Sequence, residues 1–503
     1  MAFNAIFGWL LKKRIHQIEL FRKHPVEVQQ EWFERLITEG RLTAFGEKYQ
    51  FDKISNYHDF KTSVPLHTYD EIKTWIQKSI EGEFNVLWPG ETNWFAKSSG
   101  TTSDRSKFIP VTKNSLEDCH YKGGKDLIAI NYTLYPNTKL YNGKHLVVGG
   151  SAASNQIRPD SYTGDLSAII MKNLPWWAEI KRTPSKEIAL MSDWEKKIES
   201  LALSTMNEDV TSISGVPSWT LVLLNRILQI QKKDSILDVW PNLELFMHGG
   251  VGFEPYRKEF ERIIPSTGMH YIESYNASEG FFGIQDTIDG DLLLMLDYGI
   301  FYEFIPMDSF NGIESKEIVQ LADVELNKNY ALVISTNGGL WRYIVGDTVK
   351  FTSLKPHRIQ VTGRTAHFIN VFGEELIVNN AEYAISEASK NTGSEVVDYT
   401  ACPIYMVSIE QGGHEWLIEF SKEPENLEEF GFILDMKLRE VNSDYDAKRT
   451  SDLNLKAPII TMAAPGTFEN WLRKKGKLGG QHKIPRLSND RKIFDEISAI
   501  EVI

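Results

Sequence analysis

The residues best suited to chemistry form a run of four hydroxyl side chains around one glycine, Ser98-Ser99-Gly100-Thr101-Thr102. Arg105 and Lys107 follow the run, and the flanking segments "NWFAK" and "KFIPV" have the composition of short strands. Phosphates are bound by backbone N–H groups, which a glycine lets approach closely, and by Ser and Thr hydroxyls. The run therefore predicts a flexible strand-to-strand loop over phosphate groups, although a solvated turn is the commoner interpretation of such a cluster taken alone.

Three later segments carry further polar chemistry. "YNASEG", Tyr275 to Gly280, ends a predicted strand and offers an aromatic ring for a base, a hydroxyl for a phosphate and a carboxylate for Mg²⁺. "WRYIVGD" ends on Asp347, whose carboxylate can accept both ribose hydroxyls, and the basic tail "GGQHKIPRLSNDR" places Lys483 among apolar and proline residues. The plainer interpretations are a turn, a hairpin turn and a solvated tail.

The order of these motifs is informative. A hydroxyl loop, Y-x-x-S-E, Y-x-x-G-D, a Gly363-Arg364 hinge and a C-terminal lysine together resemble the acyl-adenylate-forming superfamily. Within it, "SSGTT", "YNASEG" and "RYIVGD" are similar to the auxin-responsive promoter (Gretchen Hagen) family of acyl acid–amido synthetases, and "GRTAHFINVFGEEL" resembles its bacterial members. The resemblance covers nearly the whole chain and implies ATP and Mg²⁺ as cofactors.

The resemblance also implies roles for individual residues. The phosphates of ATP would contact the hydroxyl loop, Ser98, Ser99, Gly100, Thr101 and Thr102, with Ser99 and Thr102 assisting catalysis. Tyr275 would stack near the adenine, Ser278 would touch the α-phosphate region, Asp347 and Arg364 would complete the nucleotide site, and Glu279 would ligate Mg²⁺. Lys483, with Lys477 as the alternative, would stabilise charge during adenylation.

The acyl pocket is expected between two segments, Ser212 to Ile227 and Met247 to Tyr256. His248 would form a pocket wall, and Gly249 would allow close approach of a substrate. Leu221 lies on a predicted helix of the first segment, where an apolar stripe is more often core. The expected substrates are a small-molecule carboxylic acid and an amine, with an amino acid as the expected amine.

The chain length and the order of predicted strands and helices indicate the architecture. A chain of 503 residues is too long for one ordinary core. Strand, loop and helix alternate up to residue 290, and consecutive strands follow, in which "DLLLMLDYGIFYEFIP" and "YALVISTNGGLWRYIVGDTVKF" read as hairpins. We expect an α/β fold: residues 1–362 as a large adenylation domain with mixed or parallel sheets and a β-barrel-like antiparallel part, and residues 363–503 as a mobile α+β domain.

Composition narrows the class of protein. A net charge of −13 argues against general nucleic-acid binding, which needs a basic surface. Two distant cysteines, Cys119 and Cys402, fit a reducing, cytoplasmic location. The N-terminal segment has the spacing of an amphipathic helix and lacks the features of a signal peptide, and no apolar run predicts a membrane span. The sequence leaves the oligomeric state open.

Three alternatives stay open at this point. An acyl-CoA synthetase would use the same adenylate chemistry with a thiol acceptor. A nucleotide-binding homologue without catalysis is suggested by Asp104 and Ala366, which depart from the family pattern. A serine hydrolase would use Ser151 in "HLVVGGSAAS", a partial match to the G-x-S-x-G motif.

Overall fold

The chain separates into two compact units, residues 1–345 with 349–360, and residues 346–348 with 361–503. The computed structural model describes residues 2–98, 107–149, 155–174, 176–191, 193–250, 253–365, 368–369, 376–404, 412–442, 445–446, 449, 455–477, 484–488 and 491–500. Among these residues, no helix combines the length and apolarity that crossing a bilayer requires.

Helices fill the N-terminal part of the first unit, and shorter helices connect its strands. In chain order they are α1 Ala2–Lys23, α2 Pro25–Gly40, α3 Ala44–Lys48, α4 Tyr57–Ser63, α5 Tyr69–Glu81, α6 Lys113–Ser115, α7 Tyr121–Leu134, α8 Leu166–Lys172, α9 Trp176–Glu179, α10 Lys186–Ala189, α11 Trp194–Thr205, α12 Pro217–Gln231 and α13 Glu254–Ile263. A π-helical segment, Leu116–His120, joins α6 to α7.

Local sequence explains where these helices begin and end. Pro25 begins α2, because a proline at the first helical position gives up no needed N–H. In α5, Thr68 and Glu71 form a reciprocal capping box, and Gly82 ends the helix with a left-handed φ of 95°. After the hydroxyl loop, Thr112 caps α6, because its hydroxyl accepts the N–H of Ser115.

The strands of the first unit form two sheets. Their bounds are β1 Trp94–Ser98, β2 Lys107–Val111, β3 Lys144–Val148, β4 Asn155–Arg158, β5 Ser161–Gly164, β6 Arg182–Thr183, β7 Val210–Gly215, β8 Leu245–Gly249, β9 His270–Ala277, β10 Gly280–Gln285, β11 Leu292–Leu294, β12 Ile300–Pro306, β13 Val319–Gln320 and β14 Asn329–Thr336, followed by β15 Tyr343–Leu354 and β16 His357–Arg364, which contribute to both units. The smaller sheet has the order β2-β1-β5-β4.

The larger sheet joins the parallel and antiparallel parts of the sequence. Its described strands have the order β13-β12-β14-β15-β16-β11-β10-β9-β8-β7-β3-β6. Strands β3, β7, β8 and β9 run parallel, as the alternation of strands and helices predicted, and β10 returns antiparallel to β9. The second expected hairpin is present as β14 and β15, but the first is wrong: β11 pairs with β10 and β16, and β12 pairs with β13 and β14.

An apolar core packs on one face of the parallel strands. Alternate residues of the strands, among them Leu146, Ile213 and Phe246, contact helices α11, α12 and α13. Buried Leu223, Leu224 and Ile227 of α12 belong to the same core. This packing fixes the carboxyl ends of β3, β7 and β8 at one edge of the sheet.

The second unit places helices on both faces of a small sheet. Its further elements are β17 Phe368–Ile369, β18 Leu376–Ile377, α14 Val378–Thr392, β19 Glu395–Ile404, β20 Gly413–Lys422, α15 Leu427–Val441, β21 Ile459–Ala463, α16 Thr467–Lys474 and α17 Lys492–Ser498. Trp416 and Ile418 of β20 pack towards α14 and α15, whereas Leu417 packs with residues of α16 and α17. The alternation follows from the two-residue period of a strand.

Candidate functional site

The hydroxyl loop connects two paired strands. β1 and β2 run antiparallel, with Trp94 opposite Val111 and Ser98 opposite Lys107. This confirms the strand-to-strand placement. The backbone of Ser98 ends β1, while Ser99, Gly100, Thr101 and Thr102 lie outside the described residues, so their phosphate contacts stay predictions.

The "YNASEG" segment is a two-residue hairpin turn and not a longer loop. Ala277 of β9 pairs with Gly280 of β10, which leaves Ser278 and Glu279 as the turn residues. Ser278 is buried and Glu279 is half-buried. A tight turn between two strands of a large sheet gives both side chains a fixed backbone, which is a suitable base for a phosphate contact and a metal contact.

The ring of Tyr275 lies against the strand that follows the turn. It is 9% exposed and tilted against Phe282, with 4.9 Å between the ring centroids. Its predicted contact with adenine stays a prediction.

Two residues that the sequence analysis did not select hold this hairpin from the side. The N–H of Phe281 donates to Sγ of Cys119 at 3.1 Å, and His120 hydrogen-bonds to the side chain of Asn276. Burial lowers the pKa of His120 to about 4, so the imidazole is neutral at physiological pH. In the sequence, the only indication of this role was that Cys119 and His120 are adjacent within a helical pattern. Such a pattern does not reveal a contact with a strand about 160 residues away.

A third contact brings α7 close to the same hairpin. A Cβ at Gly123 would lie 2.5 Å from the ring of Phe281. Only glycine allows this approach, so α7 and β10 are in direct contact beside the turn.

His248 and Gly249 end β8 next to β9. Their strand neighbours are Glu273 and Ser274, and the hydroxyl of Ser274 donates to the carbonyl of His248 at 3.1 Å. A Cβ at Gly249 would lie 2.3 Å from the carbonyl oxygen of Ser274, so the neighbouring backbone alone requires a glycine there. The proposed closeness of Gly249 to a substrate stays a prediction.

The side chain of His248 is enclosed by aromatic residues. It is 4% exposed and stacks on Phe253, with 4.2 Å between the ring centroids. Burial, with a contribution from Arg257, lowers the pKa of His248 to about 3. His248 is therefore a neutral, largely apolar surface, which is a suitable property for a pocket wall.

Leu221 lies on α12 and is half-buried against the core of the first unit. The next turn of the helix, Leu224, is fully buried. The structure thus supports a packing role for Leu221, and its role towards a substrate stays a prediction.

Asp347 and Arg364, which the sequence placed in one nucleotide site, are in contact in the second unit. Nε of Arg364 lies 2.8 Å from Oδ1 of Asp347, which is 7% exposed. Gly346 has a left-handed φ of 92°, and its carbonyl accepts the N–H of Thr365. This left-handed residue and the β15–β16 pairing bring the carboxylate to the guanidinium.

The C-terminal lysines differ in what the structure shows. Lys477 follows α16, and its N–H donates to the carbonyl of Leu472 at 2.8 Å. Lys483 lies outside the described residues, as does Ser151. The residues directly after Lys483 are bound to β19, since the hydroxyl of Thr400 donates to the carbonyl of Pro485 at 2.6 Å.

The chemistry of the donor groups fits Mg²⁺ held mainly by a nucleotide. In the described parts of the chain, no group of three or more His, Cys, Asp or Glu side chains could hold a metal ion by itself. Mg²⁺ is typically bound by one or two carboxylates together with substrate phosphates. The single carboxylate of Glu279 in its turn is compatible with that mode.

Comparison with protein-family models gives matches along the chain. Residues 14–269 match the GH3 family N-terminal domain, residues 293–364 the GH3 family central domain and residues 379–492 the GH3 family C-terminal domain. The first match alone covers about half of the 503 residues.

Curated relatives match over almost their full length. The chain is 22% identical to the indole-3-acetic acid-amido synthetase GH3.4 of Arabidopsis thaliana, covering 94% of this chain and 91% of that protein. It is 23% identical to the jasmonoyl–L-amino acid synthetase JAR6 of Nicotiana attenuata, covering 94% and 93%. The first name describes an amido synthetase of indole-3-acetic acid, and the second describes a synthetase of jasmonoyl–L-amino acid conjugates.

Solved structures share the fold. The AtGH3.15 acyl acid amido synthetase in complex with 2,4-DB aligns with a TM-score of 0.79 at 18% identity, covering 97% of this chain and 96% of that one. A 2-hydroxyisobutyryl-CoA ligase in its postadenylation state aligns with a TM-score of 0.58 at 11% identity, covering 93% and 90%. The chain thus shares its fold with an acyl acid amido synthetase and with a CoA ligase.

Proposed function

The chain belongs to the GH3 family, and from this premise we propose that it is an ATP-dependent ligase that activates a carboxylic acid as an acyl-adenylate and transfers the acyl group to an amino acid. The observation that supports this most strongly is the match of the N-terminal, central and C-terminal domains of the family, in that order along the chain. Relatives named as synthetases of acid conjugates also match over nearly their whole length.

The first half-reaction follows from the chemistry of carboxylates. A carboxylate oxygen is a poor leaving group, so its attack on the α-phosphate of ATP, with loss of pyrophosphate, replaces it by the much better leaving group AMP. Enzymes accelerate such phosphoryl chemistry mainly by positioning and charge stabilisation. In our proposal the hydroxyl loop orients the phosphates, and the glycine among the hydroxyls lets pyrophosphate leave.

Two local geometries support the assignment of the remaining roles. Ser278 and Glu279 occupy one tight turn, so a phosphate contact and a metal contact would be set by the same backbone. Mg²⁺ bound there would neutralise phosphate charge. Asp347 and Arg364 form a carboxylate–guanidinium pair in which Oδ1 of the carboxylate accepts from Nε of the guanidinium, and in our proposal the carboxylate also accepts from the ribose hydroxyls.

In the second half-reaction the amine attacks the acyl carbon, the C–N bond forms and AMP leaves. Rotation of the smaller domain about Gly363-Arg364 between the two steps is part of the proposal, because the same site must exclude water during adenylation and admit the amine afterwards. Lys483 is proposed to stabilise charge only during adenylation.

ATP–pyrophosphate exchange tests the first step. The purified protein is incubated with ATP, Mg²⁺ and labelled pyrophosphate in the presence of aromatic, indole and aliphatic carboxylic acids. We expect label in ATP with at least one acid, and none without acid. Absence of exchange with every acid, in protein that melts cooperatively, would contradict the proposal.

Product analysis tests the second step. The acid that gives exchange is incubated with ATP and either the common amino acids or coenzyme A, and products are identified by mass spectrometry. We expect an N-acyl amino acid. An acyl-CoA as the sole product would identify the enzyme as a thioester-forming synthetase.

A further inference from the structure

A half-buried aspartate, one of whose carboxylate oxygens is buried without a partner in the described residues, lies where the hydroxyl loop begins. β1 and β5 are parallel neighbours, and Ala96 is opposite Gly164. The next residues along the two strands are Lys97 and Asp165, and Ser98 of the loop follows Lys97. Asp165 is therefore at the carboxyl end of β5, next to the start of the hydroxyl loop.

Asp165 occupies the N-cap position of α8, but its side chain does not cap the helix. Its backbone carbonyl begins α8 by accepting the N–H groups of Ala168 and Ile169. Its carboxylate makes no capping hydrogen bond to that helix, and Oδ2 is buried without a partner in the described part of the chain. Leaving a carboxylate oxygen buried and unpaired destabilises the folded state, so a donor from a ligand would relieve a real cost.

Two lysines act electrostatically on this carboxylate. Lys97 and Lys197 both favour its ionised form, against the effect of burial, which raises the pKa of Asp165 to about 6. Lys197 is fully buried on α11, and its ammonium donates to the carbonyl of Gly149 at 2.9 Å. Gly149 directly follows β3, so ends of strands from both sheets meet at this place.

The residue after β3, Gly149, lies close to side chains of α8. A Cβ at Gly149 would lie 3.2 Å from Cε of Met171 and 3.4 Å from Oγ of Ser167. Asp165 thus lies at the junction of β5 and α8, beside β1 and within the electrostatic influence of Lys197 on α11, at the base of the loop proposed to bind phosphates.

We propose that Asp165 binds the ammonium group of the amino-acid acceptor and takes its proton when the amine attacks the acyl-adenylate. The assignment rests on the proposed function. An ammonium group supplies the N–H donors that Oδ2 lacks, and the acceptor nitrogen must come close to the phosphate that carries the acyl group.

In the proposed site, Lys97 and Lys197 favour deprotonation of the bound ammonium group. Nearby positive charges lower the pKa of a bound ammonium and so favour the neutral amine, which is the nucleophile. One ammonium proton passes to Asp165, the nitrogen lone pair attacks the acyl carbon, the C–N bond forms and the C–O bond to AMP breaks. The second proton leaves the nitrogen to solvent, and Asp165 releases its own proton in the same direction. Mg²⁺, with twice the charge of an ammonium, would be repelled more strongly by Lys97 and Lys197.

Asp165→Asn separates the two half-reactions. Acid-dependent exchange and acyl hydroxamate formation with hydroxylamine, which is already neutral near pH 7, report adenylation. We expect both to stay within about twofold of wild type, while amide formation with the amino acid falls by about 100-fold, a usual loss for a proton acceptor. The deficit should shrink as pH rises, because more acceptor is then already deprotonated.

Asp160→Asn is the matched control. Asp160 lies exposed in the turn before β5, with a left-handed φ of 64° that asparagine adopts readily, and its replacement should leave all three activities unchanged. Thermal melting of both variants checks folding.

The other outcomes contradict the assignment. Amide formation at the wild-type rate in Asp165→Asn, an equal fall in exchange, hydroxamate and amide formation, or rescue of amide formation by added Mg²⁺ would each overturn it. If the wild-type enzyme gives no exchange with any acid, the proposed function itself fails.

Discussion

At the scale of single residues, the Asp347–Arg364 pair shows what contact adds to a motif. The sequence selected both residues for one nucleotide site, and the structure shows them 2.8 Å apart. The guanidinium occupies one side of Oδ1 and fixes the direction of the carboxylate. A nucleotide ribose would then meet an acceptor whose orientation is already set, which reduces the entropy lost on binding.

Replacing Asp347 by alanine should weaken ATP binding. The proposed ribose contacts are hydrogen bonds to a charged acceptor, each worth about 1.5–3 kcal/mol, so we expect Kd for ATP to rise by about tenfold or more. Isothermal titration with ATP and Mg²⁺ measures the change.

Asp446→Ala is the control for Asp347→Ala. It removes a carboxylate of the same unit that is paired with Arg439 at 2.6 Å and is 45% exposed. ATP affinity should stay at the wild-type value in this variant. Equal affinities of wild type and Asp347→Ala would show that Asp347 does not contact the ribose.

At the scale of elements, the spacing of β8 and β9 positions the candidate site. Both strands end at the same edge of the sheet, where β8 carries His248 and β9 leads into the Ser278-Glu279 turn. A side chain at Gly249 would place its Cβ only 2.3 Å from the carbonyl oxygen of Ser274. A change at this glycine is therefore transmitted along β9 towards the turn.

Gly249→Ala should shift β9 and impair adenylation. The added methyl group would overlap a backbone oxygen that cannot rotate away, which typically costs about 1–3 kcal/mol. We expect a lower melting temperature and at least about a tenfold loss of acid-dependent exchange. Differential scanning calorimetry and the exchange assay measure the two effects.

Gly124→Ala provides a matched control for that substitution. Gly124 lies in α7, where an added Cβ would have no atom within 4 Å, and alanine is the better helix former there. Stability should be kept or slightly increased, with normal exchange. A Gly249→Ala enzyme with wild-type exchange would show that the spacing of β8 and β9 does not position the site.

At the scale of the whole molecule, buried histidines determine how the first unit responds to acid. Burial lowers the pKa of His120, His145 and His357 to about 4 and that of His248 to about 3. In the unfolded chain, the same histidines are protonated near pH 6.5. Their contribution to the free energy of unfolding is therefore fully present above pH 6.5 and is lost as pH falls towards 4.

Two carboxylates of the first unit oppose this trend, because burial raises the pKa of Asp126 and raises that of Asp165 to about 6. Their contribution to stability increases as pH falls. We expect the four histidines to outweigh the two carboxylates, so the melting temperature of the first unit should fall between pH 7.5 and 5.5. Calorimetry at several pH values measures it.

His357→Gln isolates one contribution, because His357 is buried and outside the proposed site. The variant should lose less stability than wild type over the same pH range. His58→Gln, at an exposed position, should behave as wild type. A melting temperature that rises on acidification would contradict the account.

The sequence by itself determined the kind of chemistry and the order of the elements. Hydroxyls around Gly100, the Ser278-Glu279 pair and Asp347 are local patterns, because a few adjacent residues suffice to hold a phosphate, a metal or a sugar. Strand and helix periods likewise depend on neighbours in the chain, and they predicted the alternation of strands and helices up to residue 290.

Strand pairing and side-chain partners were decided only by the tertiary structure. The segment from Asp291 to Pro306 reads as a hairpin, yet β11 and β12 pair with different strands, because pairing is chosen by the burial of whole faces. Cys119 and His120 contact the β9–β10 hairpin, and Asp165 lies within the electrostatic influence of Lys97 and Lys197, although no local period encodes either arrangement. Packing joins residues far apart in sequence. A local sequence pattern describes one partner of such a contact and does not identify the other.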